Sequence, residues 1–384
     1  MTYLYAFTLS LVLTLQVSAQ DVVPADVQDI APVFPSELML LPQSLQDAVE
    51  AETPAADVEI PAGLSVAEEA FYRAQVAYAT EDWLSARLYA ESAAIAGSPQ
   101  AATLVGMIEH DGLVGEADMD EAVQWFRRAA EENEPVALYR LGVLAELDQS
   151  DLALGPSQPW FERSARAGHI GGMVAYAVAL KASPIPQDLI EAREWAERAA
   201  QAGSSEGMYQ LAQMLDVGDG GSLDIEGARI WFERAGHLQH AEAAFQAGMM
   251  WAAGDGGEQD DVEGLRWLRI SAESGYGPAM GQYGLMLYQG RGGEVDQSSA
   301  AYWFSQGAHL GDAESRFLYA YVLARGEGVP ADYAESYRWV LLGAVDAQGA
   351  PVHDTARDQL QVGLEQALPV DEQSRIRGEI AASR

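Results

Sequence analysis

A tryptophan or tyrosine recurs along this chain every 35 or 36 residues, and this period constrains the fold more than any other feature of the sequence. The intervals between successive rings are 36, 35, 35, 36, 36, 36 and 36 residues. The eight rings, which we call the anchors, are Tyr89, Trp125, Trp160, Trp195, Trp231, Trp267, Trp303 and Trp339. A period of this length is typical of helical hairpins that bury their apolar faces against their neighbours.

Two further landmarks keep a fixed distance from the anchors. Aspartate stands seven residues before seven of the eight anchors, where a carboxylate would accept hydrogen bonds from unpaired N–H groups at a helix start. These predicted caps are Asp82, Asp118, Asp188, Asp224, Asp260, Asp296 and Asp332. A small residue in the preceding helix indicates close approach of two helix backbones, because glycine inside a helix otherwise costs stability. These small residues, which we call the markers, are Gly106, Gly142, Ala177, Ala212, Gly248, Gly284 and Ala320. Each repeat is therefore predicted to contain a helix A, a glycine-rich turn, a helix B and a short return loop.

The repeat unit, A-x-x-x-(L/Y)-G…G-x-G-V…D-x-x-x-A-x-x-W-(F/Y)…A-A-x-x-G, resembles the Sel1-like repeat of the tetratricopeptide superfamily. The tetrapeptides AVQW, GLRW and SYRW, which end at Trp125, Trp267 and Trp339, agree with it. The resemblance implies an all-α fold, a right-handed α/α superhelical solenoid of about eight helical hairpins over residues 64–350. It also implies C-terminal capping helices in residues 351–384, and the sequence predicts these helices over Thr355–Leu368 and from Pro369 to about Ala382. The middle of the array departs from the pattern, since residues 148–158 lack the glycine pair and the aspartate cap, and prolines replace the glycine turn at residues 183–186.

The segment before the repeats predicts export. Residues 1–19 read as a cleaved signal peptide, with an apolar run followed by Val17-Ser18-Ala19, whose last and third-last residues suit signal peptidase, although no positive charge precedes the run. An uncleaved anchor is the alternative, but the run is shorter than a spanning helix needs. Residues 20–63 carry six prolines and no basic residue, which predicts an acidic, disordered tether. Its apolar stretch, Phe34 to Leu45, either lies loosely on the following helices or binds a groove of this chain or a partner.

Composition and motifs exclude several classes of function. The 58 acidic residues against 22 basic ones give a formal net charge of -36, which disfavours nucleic acid and anionic membrane surfaces as partners. There is no cysteine, hence no disulfide, thiol nucleophile or thiolate metal site. No Ser-x-x-Lys motif is present, and His237, His240 and Glu242 lack a further strong metal ligand nearby. We therefore expect no catalytic residue, metal or cofactor, and no membrane span once the signal peptide is removed.

The candidate site is a stripe on the helices A. In the related repeats these helices face the inner, concave surface, and residues four apart share one stripe. The stripe lies three residues before and one residue after the markers, and its candidate partner-binding residues are Tyr139, Tyr209, Gln213, Phe245, Met249, Phe317 and Tyr321. The same rings could instead pack as core between neighbouring helices. If they line a groove, an extended or helical peptide with apolar anchors is the expected ligand, and the acidic surface favours basic flanks on it.

These observations favour a non-enzymatic, periplasmic or secreted scaffold or regulatory adaptor that binds a protein or peptide of the cell envelope. The alternative from another class is an envelope ligand sensor or hydrolase acting on peptidoglycan-derived or β-lactam compounds, which the resemblance suggests. A third hypothesis is a purely architectural assembly whose groove is filled by residues 34–45. Neither the partner nor the oligomeric state follows from the sequence.

Overall fold

The computed structural model describes residues 60–147, 153–344 and 354–382, and every regular element in these ranges is an α-helix. The predicted signal peptide and nearly all of the predicted tether lie outside the described residues. So do residues 148–152 of the irregular stretch. The chain divides into two compact units, with the boundary between Ala96 and Gly97.

The helices alternate along the chain as the repeat predicts. The helices A are α1 (Val66–Ala79), α3 (Pro99–Asp111), α5 (Pro135–Glu146), α7 (Ile170–Lys181), α9 (Ser205–Val217), α11 (Ala241–Ala253), α13 (Gly277–Gln289) and α15 (Ala313–Arg325). The helices B are α2 (Trp83–Ile95), α4 (Met119–Glu131), α6 (Gln158–Arg166), α8 (Pro186–Gln201), α10 (Ile225–His237), α12 (Asp261–Glu273), α14 (Gln297–His309) and α16 (Tyr333–Leu342). Two further helices follow, α17 (Thr355–Ala367) and α18 (Val370–Ala382).

The first unit contains the hairpin of α1 and α2. The second unit is an all-α superhelical solenoid in which each helix from α3 to α16 packs against the next one along the chain, and α17 and α18 both pack against α16. The prediction of an all-α solenoid of helical hairpins is thus confirmed.

The predicted aspartate caps are confirmed at six of seven positions. Asp82, Asp118, Asp224, Asp260, Asp296 and Asp332 each stand at an N-cap and accept a backbone N–H with a side-chain oxygen. The prediction is wrong for Asp188, which lies in the first turn of α8 instead. The reason is Pro186, which starts α8 early because proline has no N–H to satisfy and its φ angle suits the first helical position. Ile185 is then the N-cap, with no side-chain hydrogen bond.

The turn glycines serve two different purposes. Gly218, Gly254, Gly290 and Gly326 close the helices A in the left-handed conformation. The glycine two residues later also has a positive φ, and it touches the preceding helix B. A Cβ on Gly328 would stand 2.0 Å from the carbonyl oxygen of Gln297, and one on Gly292 would stand 2.1 Å from that of Asp261. The second glycine is therefore required by backbone contact between repeats as well as by the turn.

The glycine markers Gly106, Gly142 and Gly284 each approach the phenylalanine that directly follows an anchor. A Cβ on Gly106 would lie 2.7 Å from the ring of Phe126, and one on Gly142 would lie 2.5 Å from the ring of Phe161. Phe126 and Phe161 are almost completely buried, as are the equivalent rings of later repeats. Each such phenylalanine contributes about 2 to 3 kcal/mol from burial. In the repeats with a glycine marker, two helices therefore approach closely between the marker and the residue after an anchor.

The last two helices cover the end of the array. Leu364 of α17 and Ile376 and Ile380 of α18 are buried in a cluster with Tyr337 and Val340 of α16. Two polar contacts lie beside this cluster. Arg377 Nε lies 2.9 Å from the Tyr337 hydroxyl, and Arg338 pairs with Glu379. The outer side of α18 is largely exposed and charged, as a terminal cap requires.

Candidate functional site: the helix-A stripe

All seven predicted groove residues lie half-buried on the helices A of the second unit. They are Tyr139, Tyr209, Gln213, Phe245, Met249, Phe317 and Tyr321, and each is neither fully buried nor fully exposed. We call this set the helix-A stripe. Three repeats lack the ring, since Thr103, Val174 and Gly281 occupy the equivalent positions in α3, α7 and α13. The stripe thus combines apolar surface that water reaches with contacts to neighbouring helices.

Three rings of the stripe each pack on the N-cap residue of the next helix A. Tyr139 packs on His169 with ring centroids 4.7 Å apart, and Tyr209 stacks on His240 at 4.5 Å. Phe245 meets Tyr276 edge to face at 5.4 Å. These partners all directly precede the first residue of a helix A. The rings are therefore fixed in orientation by the following repeat, which gives the stripe a defined shape.

The repeat nearest the N-terminus of the second unit uses a polar version of this contact. Thr103 replaces the ring, and its hydroxyl donates to the Glu134 carboxylate at 2.7 Å. Glu134 is the N-cap of α5 and also accepts the Ala137 N–H at 2.6 Å. The contact thus joins the same two positions of the repeat as in the later repeats, but it is a hydrogen bond instead of packing between rings.

Two of these N-cap residues, His169 and His240, are histidines. His169 Nδ1 accepts the Gly172 N–H at 2.9 Å, and His240 Nδ1 accepts the Ala243 N–H at 3.2 Å. This role requires an unprotonated Nδ1, with the ring proton on Nε2. Their position in the repeat could have revealed the capping role, because both histidines stand where serine or aspartate caps other helices A.

Gln213 lies at the polar end of the stripe beside the single lysine of the protein. Lys181 Nζ donates to Gln210 at 2.9 Å and to Gln213 at 3.2 Å. Burial lowers the pKa of Lys181, and the negative charges of Asp219 and Glu206 oppose that effect. Lys181 thus brings positive charge to the edge of α9.

The part of the stripe that follows His240 in the sequence is surrounded by negatively charged side chains. Burial is the main cause of a raised Tyr209 pKa, and the Glu242 carboxylate, which accepts a hydrogen bond from this phenol, adds to it. Burial raises the pKa of Tyr276 to about 12, with further contributions from Glu242 and Asp312. Burial also raises the pKa of Glu314, and the neighbouring charge of Asp312 acts in the same direction. Anionic groups on this part of the stripe therefore destabilise one another.

The anchors lie on the helices B and differ in burial. Trp195, Trp267 and Trp339 are buried, whereas Tyr89, Trp125, Trp160, Trp231 and Trp303 are half-buried. Arginine three residues later covers several of them, as Arg198 does at 4.4 Å from the Trp195 centroid. Histidine from the preceding repeat packs on others, with His237 4.7 Å from Trp267 and His309 4.9 Å from Trp339. The anchors thus take part in packing between repeats.

The described ranges contain no group of three or more histidine or carboxylate side chains that could hold a metal ion. Within the same ranges no helix is long and apolar enough to cross a membrane.

Comparison with known proteins gives a consistent result. The Sel1 repeat model matches residues 99–134, 173–204, 205–240, 241–276, 277–312 and 313–344, more than half of the chain. The unmatched residues 135–172 include the irregular stretch. No curated protein matches the chain significantly.

Solved structures with a similar fold include other proteins of this type. A Sel1 repeat protein from Oxalobacter formigenes is 24% identical, with a TM-score of 0.60 over 85% of this chain and 90% of its own. The protein c5321, a protective antigen of uropathogenic Escherichia coli with an SLR fold, is 16% identical, with a TM-score of 0.45 over 87% of this chain and 92% of its own. The first likeness supports the fold. With the six matched repeats, it follows that this chain belongs to the Sel1 repeat family.

Proposed function

We propose that this protein is a non-enzymatic scaffold or regulatory adaptor of the periplasm that binds a segment of a partner protein along the helix-A stripe. Sel1 repeat proteins are generally protein-interaction scaffolds. The observation that supports binding at this place is the row of half-buried rings on α5, α9, α11 and α15. An apolar row in fixed register is suited to a peptide whose side chains repeat along its length.

The construction of the stripe suits binding because its rings are held before a partner arrives. Tyr209 is fixed from one side by His240 and also packs near Phe232, with centroids 5.8 Å apart. Side chains that are already ordered lose little conformational entropy on binding. Met249, one residue after its marker, adds a flexible apolar surface that adapts to different side chains.

The proposed location rests on the sequence. The predicted signal peptide at residues 1–19 and the absence of cysteine are compatible with an exported bacterial protein. Fractionation of the source cells, followed by N-terminal sequencing of the mature chain, tests this part. A chain in the periplasmic fraction that begins at Gln20 is expected, and a cytoplasmic chain that retains residues 1–19 would contradict it.

A pull-down from envelope extract tests binding at the stripe. The bait is the full chain, and the variant is Tyr209→Ala with Phe245→Ala, which removes two neighbouring rings. Trp231→Ala, at a half-buried anchor on a helix B, is the control for general loss of packing. We expect one or a few specific proteins that the stripe variant loses and the control retains. Equal capture by both variants would remove the stripe from the proposal.

The non-enzymatic part has its own test. The purified protein is incubated with a chromogenic β-lactam and with muropeptides, and product formation is followed over time. We expect no turnover. Robust turnover would favour the hydrolase alternative over the scaffold.

A further inference from the structure

The helix-A stripe contains a repeated pair of a glutamate and an aromatic ring. Glu206 precedes Tyr209 in α9, Glu242 precedes Phe245 in α11, and Glu314 precedes Phe317 in α15. Side chains three residues apart on a helix lie on the same face, so each carboxylate is a neighbour of the ring in its own helix. Each glutamate is the second residue of its helix and all three are half-buried.

Several aromatic rings of the second unit, including Tyr321 of the stripe, are covered by arginines of the same chain. On the helices B, Arg163 lies 5.6 Å from the Trp160 centroid, and Arg234 lies 4.5 Å from the Trp231 centroid. At the end of α15, Arg325 covers Tyr321 at 5.4 Å. The rings of Tyr209, Phe245 and Phe317 differ, because no arginine or lysine in residues 60–147, 153–344 or 354–382 stacks on them.

The carboxylates beside these rings differ in how their charge is balanced. Glu206 lies 3.0 Å from His240 Nε2. Burial acts to raise the Glu206 pKa, but the hydrogen bonds from His240 and Gln210, followed by the charges of His240 and Lys181, lower it overall. Glu242 and Glu314 have only neutral donors in the described part of the chain. The Tyr209 phenol donates to Glu242, and the Gln282 amide donates to Glu314 at 2.8 Å.

The charge that acts on Glu314 is that of another anion, Asp312. Asp312 raises the Glu314 pKa, and it also acts with Glu242 on Tyr276. At Glu242, Phe245, Glu314 and Phe317 the described part of the chain therefore supplies no stacked or paired cation, whereas it supplies one to several rings on the helices B.

We propose that the face formed by Glu242, Phe245, Glu314 and Phe317 recognises an arginine-bearing segment of the partner protein. This inference rests on the proposed function, since it names the chemistry of the segment bound at the stripe. A guanidinium group can donate two hydrogen bonds to a carboxylate while its flat face rests on an aromatic ring, which an ammonium group cannot do in the same way. Apolar residues next to the arginine occupy the remaining stripe at Met249 and its neighbours.

Two other possible occupants of this face do not complement its negative charge. The segment from Phe34 to Leu45 of the same chain contains Glu37 and no basic residue. A second copy carries the same net charge of -36, and it would be repelled at low salt. A basic segment of another protein satisfies both the carboxylates and the rings.

A random dodecapeptide phage library, selected on the immobilised full chain, tests the inference without knowledge of the natural partner. Selected peptides are synthesised and their dissociation constants are measured with four proteins. These are the native chain, Tyr209→Ala with Phe245→Ala, Glu242→Gln with Glu314→Gln, and Glu131→Gln with Glu132→Gln. The last variant removes the same charge from exposed positions at the end of α4. Glutamine preserves the shape of the glutamate and an oxygen for Tyr209 or Gln282.

We expect peptides that bind through the rings to contain arginine more often than the unselected library does. Their affinity should fall about tenfold or more in the Glu242→Gln, Glu314→Gln variant, because charge-assisted hydrogen bonds are lost. It should stay unchanged in the α4 control. The affinity for the native chain should also weaken as salt is raised from about 0.05 to about 0.5 M, and less so for the glutamine variant.

The outcomes separate this inference from the proposed function. Peptides that need Tyr209 and Phe245 but lack arginine, or that bind the glutamine variant normally, would overturn the arginine inference and leave binding at the stripe intact. Equal weakening in the α4 control would also overturn it, because net charge rather than this face would then attract the peptides. Failure to select any ring-dependent peptide would overturn both.

Discussion

The imidazole of His240 is stacked on the ring of Tyr209, with centroids 4.5 Å apart and planes 25° apart. The same imidazole accepts the Ala243 N–H that opens α11. One side chain therefore starts a helix and fixes the ring of the preceding repeat. This double role links the stability of neighbouring repeats to the geometry of the proposed binding surface.

Replacement of His240 separates these two roles. His240→Ala removes both the cap and the ring contact, and we expect a loss of about 1 to 2 kcal/mol in the free energy of unfolding. His240→Asn restores a good cap without the ring, so it should recover most of the loss. Urea denaturation followed by circular dichroism measures both variants. Equal destabilisation by alanine and asparagine would show that the cap contributes little.

Three glycines with different surroundings allow the close contact between repeats to be tested. Gly328→Ala should be strongly destabilising, by about 2 kcal/mol or more, because its Cβ would collide with the Gln297 carbonyl at a positive φ of 76°. Gly275→Ala has a positive φ but no atom within 4 Å, so it should cost only about 1 kcal/mol. Gly363→Ala, inside α17 with open space around it, should be neutral or stabilising by up to about 1 kcal/mol.

Thermal unfolding of the three variants under one condition supplies the measurement. The predicted order of stability is Gly363→Ala, then Gly275→Ala, then Gly328→Ala. A Gly328 variant as stable as the Gly275 variant would contradict the close contact between this turn and the preceding helix B.

The marker and its ring form a second testable contact. Gly142→Ala places a methyl group 2.5 Å from the Phe161 ring, and overpacking of this kind costs about 1 to 3 kcal/mol. Phe161→Leu alone should also be destabilising, because it removes buried apolar area. If the two residues interact as the structure shows, the double variant should be more stable than the sum of the single effects predicts. Strict additivity of the three unfolding free energies would argue against direct contact.

The positions of the helices were predictable because the same landmarks recur at the same spacing in nearly every repeat. Seven aspartates in phase marked the starts of the helices B, and six of them are caps. Asp188 failed for a local reason, since the proline at position 186 starts α8 before it. The described helices α17 and α18 also occupy the two stretches in which C-terminal helices were predicted.

The sequence was less informative about how deeply each side chain is buried and about which residues of different repeats are in contact. A period shows that Trp160 is equivalent to Trp195, but not that Phe161 is buried while Trp160 remains half-buried. Histidine is not a common N-cap, so the caps at His169 and His240 could not be recognised from residue preference. Their contacts with Tyr139 and Tyr209 join residues about thirty positions apart, which no rule for local spacing reveals.

The raised pKa of Glu314 predicts a stability change with pH that one substitution removes. Burial and the charge of Asp312 favour the protonated form in the folded chain, so the folded state binds the proton more tightly than the unfolded state. The stability that this proton contributes is fully present below the unfolded pKa and is lost as pH rises through the raised folded pKa. Glu314→Gln cannot ionise. The midpoint of thermal unfolding of Glu314→Gln should therefore rise relative to the native chain as pH is increased from about 4 to about 7.

Glu131→Gln, at an exposed position of α4, is the matched control and should follow the native chain more closely. A difference between Glu314→Gln and the native chain that is constant over this range would mean that Glu314 ionises in the folded protein as it does in the unfolded one. If an arginine peptide selected on the stripe is added, the expected effect reverses at neutral pH. The guanidinium then stabilises the ionised Glu314, and the native chain should gain more thermal stability from the peptide than Glu314→Gln does.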